Sequence, residues 1–209
     1  MNDEYTIPSE HLFFLNCLIS DVTLLLEKYN IIYWAEGGTL LGAVREGGQI
    51  KHDDDCDLAI LAHDILLIDK IIPELEAWGY SVRSHNRLLK IFIPYKQCNW
   101  GGRFVKTPCL DIFRYSMKKD NYVLHEKSQR KQWLDAKHDK NDLFPLRRVQ
   151  FDDIYINIPN KPNKYLKGLY GEDYMTNKKS YLEPEKTEEQ IEESMRSLDG
   201  KVVEISYEK

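Results

Sequence analysis

The sequence predicts an α/β (α+β) domain, and three observations carry that prediction. Residues 9–29 repeat apolar side chains at helical spacing. Short apolar strands alternate with helical segments in mixed order. An acidic run feeds directly into one of those strands. The chain has 209 residues, 42% of them apolar and 30% charged, which suits one ordinary globular domain with short additions. A core of that size needs neither a disulfide nor a structural metal.

Each element follows from local chemistry. Leu12, Leu15, Ile19, Val22 and Leu26 line one face of the first helix, with Ser9 as its expected N-cap. Residues 31–35 read as a buried strand. Residues 36–39 read as a turn and 40–46 as a short helix, ended by Gly47-Gly48. The acidic residues 53–57 lead into a strand at 58–61. A helix at 64–78 stops at Gly79. Residues 80–84 and 88–94 form a hairpin pair, followed by a polar loop at 96–106. Residues 109–115 are a strand containing Asp111. Residues 143–149 and 153–158 are strand-like, and 162–169 a short helix. In the charged tail, residues 183–209, Thr187 caps a helix over 188–198, and 202–207 alternates like an edge strand. The tail reads as a solvated helix packed on the domain.

Bulk properties exclude several classes. A net charge of -5 argues against nucleic-acid binding. Cys17, Cys56, Cys98 and Cys109 form no paired zinc motif and read as reduced thiols. The N-terminus lacks the basic start and apolar core of a signal peptide. No uninterrupted apolar run approaches the ~20 residues that span a bilayer; the segment 65–72 is broken by Asp69 and Lys70. The expected location is cytoplasmic, or peripheral to a membrane, with no transmembrane segment. The oligomeric state stays open.

The chemistry concentrates in Gly37-Gly38-Thr39-Leu40-Leu41-Gly42-Ala43-Val44-Arg45 and the following Ile50-Lys51-His52-Asp53-Asp54-Asp55-Cys56-Asp57-Leu58. In an extended segment Asp53, Asp55 and Asp57 share one face, and Asp54 and Cys56 point away. Clustered carboxylates repel unless a cation sits between them. Hard oxygen ligands suit Mg²⁺ or Mn²⁺, which keep open positions for phosphate oxygens. Gly37 and Gly38 permit close backbone approach, and the helix that follows aims its free N–H groups at the same point. Asp111, alone among apolar neighbours, is costly unless paired or metal-bound. It is the expected third carboxylate, with a salt bridge to Arg114 or Arg147 as the plainer reading.

These residues resemble the LicD family, which includes the fukutin-related proteins. The first motif carries most of the likeness. Leu110-Asp111-Ile112-Phe113 is similar to that family's second acidic strand. Phe144-Pro145-Leu146, Phe151 and Ile158-Pro159-Asn160 resemble a later block, and Tyr165-Leu166 with Tyr170-Gly171-Glu172-Asp173-Tyr174 a closing one. The resemblance implies a nucleotidyltransferase-type fold, a mixed central sheet flanked by helices, as one catalytic domain over residues 1–182. It implies transfer of a phospho-alcohol, such as phosphocholine or phosphoribitol, from a CDP-linked donor to a sugar hydroxyl of a glycan. Many members carry Pro-Trp where this chain has Lys51-His52, which changes the rim of the site and leaves the acids intact. The additional domain and membrane anchor of fukutin-related proteins are not visible here.

On this reading Asp55, Asp57 and Asp111 are catalytic, and Asp53, Asp55, Asp57 and Asp111 hold Mg²⁺ or Mn²⁺. Asp111 either joins a second metal position or orients and deprotonates the acceptor hydroxyl. Gly37, Gly38, Thr39, Arg45, Lys90 and His52 contact substrate. For Arg45 and Lys90 the plainer reading is a surface cation, for Thr39 a helix cap, and for His52 a simple neighbour. Tyr95, Trp100, Phe104 and Tyr115 offer aromatic faces for a sugar or a choline-like cation, or simply pack. Two rivals remain at this level: transfer of a nucleoside monophosphate to a small molecule, protein or RNA, and a catalytically silent binding module of the same fold.

Overall fold

A computed structural model describes residues 7–85, 88–94 and 107–176. The loop aromatics Tyr95, Trp100 and Phe104, the residue Cys98 and the expected tail helix and strand lie outside the described residues. Helix α1 (Ser9–Lys28) comes first, then strand β1 (Tyr33–Ala35), helix α2 (Gly37–Arg45) and strand β2 (Asp55–Leu61). A single 3-10 turn (Ala62–Asp64) precedes α3 (Ile65–Ala77), β3 (Ser81–His85), β4 (Leu88–Phe92) and β5 (Cys109–Lys118). Next come β6 (Asn121–Leu124), α4 (Lys127–Gln132), β7 (Lys137–Asp139) and α5 (Lys140–Leu143). The hairpin β8 (Arg147–Phe151) and β9 (Ile154–Ile158) and helix α6 (Asn163–Tyr170) follow.

Seven strands form one mixed sheet, in which β1-β2-β5-β4-β3 lie side by side and β6 links β5 to β7. Only the β2–β5 pairing is parallel among these neighbours. The early half of β5 pairs with β4 and its late half with β6, which is why this strand runs to 10 residues. Hairpin β8–β9 is a separate two-stranded sheet lying against β1.

Burial explains the central strands. Leu58, Ala59 and Ile60 are all buried, because helices α1 and α2 both lie against β2. A strand covered on two faces has no polar side to alternate with. Leu15, Leu18, Ile19, Val22, Leu25 and Leu26 of α1 are fully buried. By length and composition α1 is apolar enough to cross a membrane, although polar residues interrupt it, so that it holds no uninterrupted apolar run. One side of it packs into the core, and Phe13 and Leu24 stay exposed.

Several boundaries differ from expectation. The N-cap of α1 is Pro8, and Ser9 is its first helical residue without a side-chain cap. Helix α2 starts at Gly37, three residues early, so the glycines open the helix instead of preceding it. Leu143 ends a short helix, and the strand begins only at Arg147. Elements β6, α4 and β7 arise from residues 121–139, where the sequence shows no clear periodicity. Among the described residues, Cys17, Cys56 and Cys109 are free thiols.

Ile60 is fully buried at the centre of the sheet. Ile60→Ala is expected to lower unfolding stability by about 2–5 kcal/mol in urea titration. A loss below that range would show that β2 is not the packing centre described.

Candidate active site

The site lies where β2 meets the start of α2. Thr39, in the first turn of α2, is buried, and its hydroxyl accepts the backbone N–H of Asp57 at 2.8 Å. It therefore fastens the helix to β2 instead of capping the helix, whose N-cap position is Glu36. Glu36 N–H donates to Asp57 O at 3.1 Å, and Gly38 N–H points at Asp57 Oδ2 at 3.3 Å. The two glycines are needed for space. A Cβ at Gly37, where φ is +48°, would stand 2.6 Å from Asp57 Oδ2, and one at Gly38 would stand 2.0 Å from Asp53 Oδ2. The carboxylates of Asp53 and Asp57 thus rest against bare backbone at the positive end of a helix dipole.

Asp53, Asp54 and Asp55 bring one carboxylate oxygen each within 4.8 Å of one another. The expectation that Asp54 points away is corrected by where the strand starts. Pairing begins at Asp55, so two-residue alternation does not extend back through Asp53 and Asp54. Backbone anchors shape that turn: Asp54 O lies 2.8 Å from buried His11 Nε2. Gln49 Nε2 donates to Asp53 O at 3.2 Å and to Asp55 O at 2.8 Å. Gln49 is itself held, because its backbone N–H donates to Asp152 Oδ2 at 2.9 Å in the β8–β9 turn.

Strand register supplies the rest. Asp57 pairs with Asp111 across the parallel β2–β5 ladder, and Asp111 with Lys90 across β5–β4. Paired positions share a face, so Asp57, Asp111 and Lys90 form a row across three strands. Lys90 Nζ lies 2.8 Å from Asp111 Oδ1 and donates to Cys109 Sγ at 3.3 Å. Asp111 therefore pairs with Lys90, and Arg114 pairs with Glu126.

The electrostatics are those of crowded like charges. Burial, then Asp55, Asp111 and Asp53, push the Asp57 carboxyl well above its ordinary range, and Lys90 opposes them. Burial alone would lower Lys90, but Cys109, Asp111 and Asp55 outweigh it and raise the ammonium above its usual value. Burial, then the neighbouring carboxylates, drive the Cys56 thiol well up, which makes it a poor nucleophile. At an effective dielectric near 20, two like charges 4–5 Å apart repel by roughly 3–4 kcal/mol. An all-oxygen donor set under that repulsion fits a hard divalent cation.

Not every expected residue joins the cluster. Arg45 sits in the last turn of α2, about 12 Å along the helix from its glycine end. Its Nε donates to Glu46 Oε1 at 2.9 Å and its Nη1 to Tyr174 O at 3.2 Å. It fastens the closing segment to α2. His52 is half-buried in the turn before the acidic run. Tyr115 is buried in the core and offers no open aromatic face.

Two contributors escaped the sequence reading. Glu36 is buried, and its carboxylate accepts from Trp34 Nε1 at 2.9 Å and from the Tyr115 and Tyr165 hydroxyls. His138 Nε2 lies 3.0 Å from its second oxygen, and the His138 ring stacks on Tyr165 at 4.1 Å. Tyr170, at the end of α6, has its hydroxyl raised first by burial and then by the charges of Asp57, Asp53, Glu36 and Asp55. A lone acid closing a buried strand was the available signal for Glu36. Tyr170 was marked only as part of the closing segment that carries the family resemblance.

A mixed sheet whose acidic strands face the glycine-started helix defines a nucleotidyltransferase-type domain. The profile for LicD/FKTN/FKRP, nucleotidyltransferase domain, matches residues 30–161, and the chain belongs to that family. An uncharacterized Rickettsia prowazekii protein is 34% identical over 169 residues, 81% of this chain and 58% of its own length. A Rickettsia typhi counterpart is 35% identical, over 80% of this chain and 49% of its own length. The chain thus spans about half to three-fifths of those relatives. The lipopolysaccharide cholinephosphotransferase LicD of Haemophilus influenzae is 28% identical over 86% of this chain and 79% of its own. Among solved structures, a lincomycin-bound lincosamide antibiotic adenylyltransferase, LnuA, is similar at 18% identity and TM-score 0.42, covering 74% of this chain and 81% of its own.

Two variants test this arrangement. Gly38→Ala should push the Asp53 carboxylate off α2, leaving the melting temperature within a few degrees while weakening Mn²⁺ binding at least about tenfold. Unchanged Mn²⁺ affinity would remove Asp53 from the centre. Glu36→Ala strands four donors in the core, each costing about 1–3 kcal/mol. Its thermal melt should fall sharply, and a wild-type melt would contradict the network.

Proposed function

We propose that this chain is a divalent-metal-dependent phosphotransferase. It moves a phospho-alcohol from a CDP-linked donor to a hydroxyl of a glycan. The observation that carries the reading is the convergence of Asp53, Asp54, Asp55 and Asp57 on the glycine-opened start of α2, with Asp111 in register beside them. Family membership supports phosphorus-group transfer, and the relative that acts as a cholinephosphotransferase supports the choice of donor class.

Asp53, Asp55 and Asp57, with Asp54 beside them, would hold Mg²⁺ or Mn²⁺. The ion supplies charge neutralisation on the donor's diphosphate. The backbone at Gly37 and Gly38 lets the diphosphate approach the helix N-terminus without a side chain intervening. Asp111 orients the acceptor hydroxyl and takes its proton. The hydroxyl oxygen then bonds to the phosphorus that carries the alcohol, and the bond from that phosphorus to CMP breaks. Lys51 and His52 form the rim that selects the donor head group.

Incubation with Mg²⁺ and a panel including CDP-choline and CDP-ribitol, followed by ³¹P NMR, is expected to show slow, EDTA-sensitive release of CMP. Asp55→Ala and Asp57→Ala should lower that rate at least about 100-fold with the fold intact. Pyrophosphate release from nucleotide triphosphates in place of CMP would replace this reading with nucleotidyl transfer. Near-normal turnover in either variant would remove the metal site from the mechanism.

A further inference from the structure

The row Asp57, Asp111, Lys90 is not symmetrical. Asp57 looks toward α2 and the acidic turn, whereas Asp111 has an ammonium on its other side, 2.8 Å away. Strand pairing puts Lys90 there: it is the register partner of Asp111 in an antiparallel ladder that continues through Leu89, Ile91 and Phe92. Cys109 Sγ holds the same ammonium at 3.3 Å, and the Lys90 side chain is only 28% exposed. The three carboxylates that crowd together are Asp53, Asp54 and Asp55, and Asp55 is the register partner of Cys109 on β5.

Sites that use two divalent ions hold them about 3.5–4 Å apart, with carboxylates reaching both. A second ion at Asp111 would have to share that carboxylate with the Lys90 ammonium. A divalent ion and an ammonium that close repel with twice the energy of two unit charges. The ladder and Cys109 keep the ammonium from leaving.

We infer that the centre takes one divalent ion per chain, on the Asp53, Asp55 and Asp57 side, and that the Lys90 ammonium on Asp111 stands where a second ion would sit. Lys90 is thus a positioning residue: it supplies the second positive charge and keeps Asp111 aimed at the acceptor. This inference rests on the metal-dependent reading above, and it specifies how many ions that reading involves.

The test counts ions directly. Purified wild type, Lys90→Arg and Lys90→Met are titrated with Mn²⁺, with free Mn²⁺ read by EPR and bound ions counted by native mass spectrometry. Thermal melts establish that each variant is folded. Wild type and Lys90→Arg are expected to bind one Mn²⁺ per chain, and Lys90→Met two, with the first bound several-fold more tightly than in wild type. Two ions in wild type overturn the inference whatever the variants do. One ion in a folded Lys90→Met also overturns it, because the ammonium would then not be what keeps the second ion out. No ion in any of the three fails differently: it removes the metal-dependent reading itself, and this inference with it.

Discussion

Parallel pairing of β2 with β5 sets Asp57 beside Asp111, and that juxtaposition constrains the structure around it. Two carboxylates on one face of adjacent strands, with Asp53 and Asp55 close by, repel strongly where water is excluded. The surrounding elements answer that repulsion from two directions: helix α2 presents its positive end, and Lys90 brings a full charge. Each answer needs a particular geometry. The glycines must be glycines for α2 to come close enough, and Lys90 must be in register for its ammonium to reach Asp111.

Holding α2 against β2 takes a second, buried set of contacts. Glu36 lies one residue before the glycines and bonds through its backbone to Asp57. Its side chain points the other way, into four donors from β1, β5, β7 and α6. A buried carboxylate with four donors is stable only while all of them stay in place. The sheet, the β7 edge and α6 are therefore tied to the one residue that fixes where the glycine turn begins. A shift of any one of them would move the turn relative to the acids.

Much of this was legible in the sequence, and the reasons differ by residue. Gly37, Gly38, Asp55 and Asp57 announce themselves because bare backbone beside clustered charge suits an anionic ligand and a cation and little else. Asp111 and Lys90 were legible as charges inside apolar strands, although for Asp111 the sequence suggested an arginine partner and not Lys90. Register is a non-local property, and no spacing within β4 or β5 encodes it. The place of Asp54 was hidden because alternation holds only within a paired strand, and pairing starts at Asp55. The Glu36 network was invisible because Tyr115, His138 and Tyr165 come from segments far apart in the chain. Arg45 was read as a phosphate ligand by its place in the glycine motif; it sits in the last turn of α2 and bonds Glu46 and the carbonyl of Tyr174. Elements β6, α4 and β7 are held by their neighbours and not by a pattern of their own.

The later segments that carry the family resemblance have a physical reason to accompany the first motif. Phe151 is fully buried, and the turn it leads into holds Asp152 at φ +48°. Asp152 accepts Gln49 N–H and donates its own N–H to Gly47 O, and a Cβ at Gly48 would stand 2.0 Å from its Oδ1. Gln49 in turn clamps the carbonyls of Asp53 and Asp55. Tyr165 bonds Glu36, and Tyr174 O accepts from Arg45 at the far end of α2. The β8–β9 hairpin thus holds the acidic turn from behind, and α6 with the segment after it holds both ends of α2. The chemistry is concentrated in one short stretch, but those residues cannot keep their charges together alone. The closing fifth of the described chain is what makes the crowded geometry of the first motif mechanically possible.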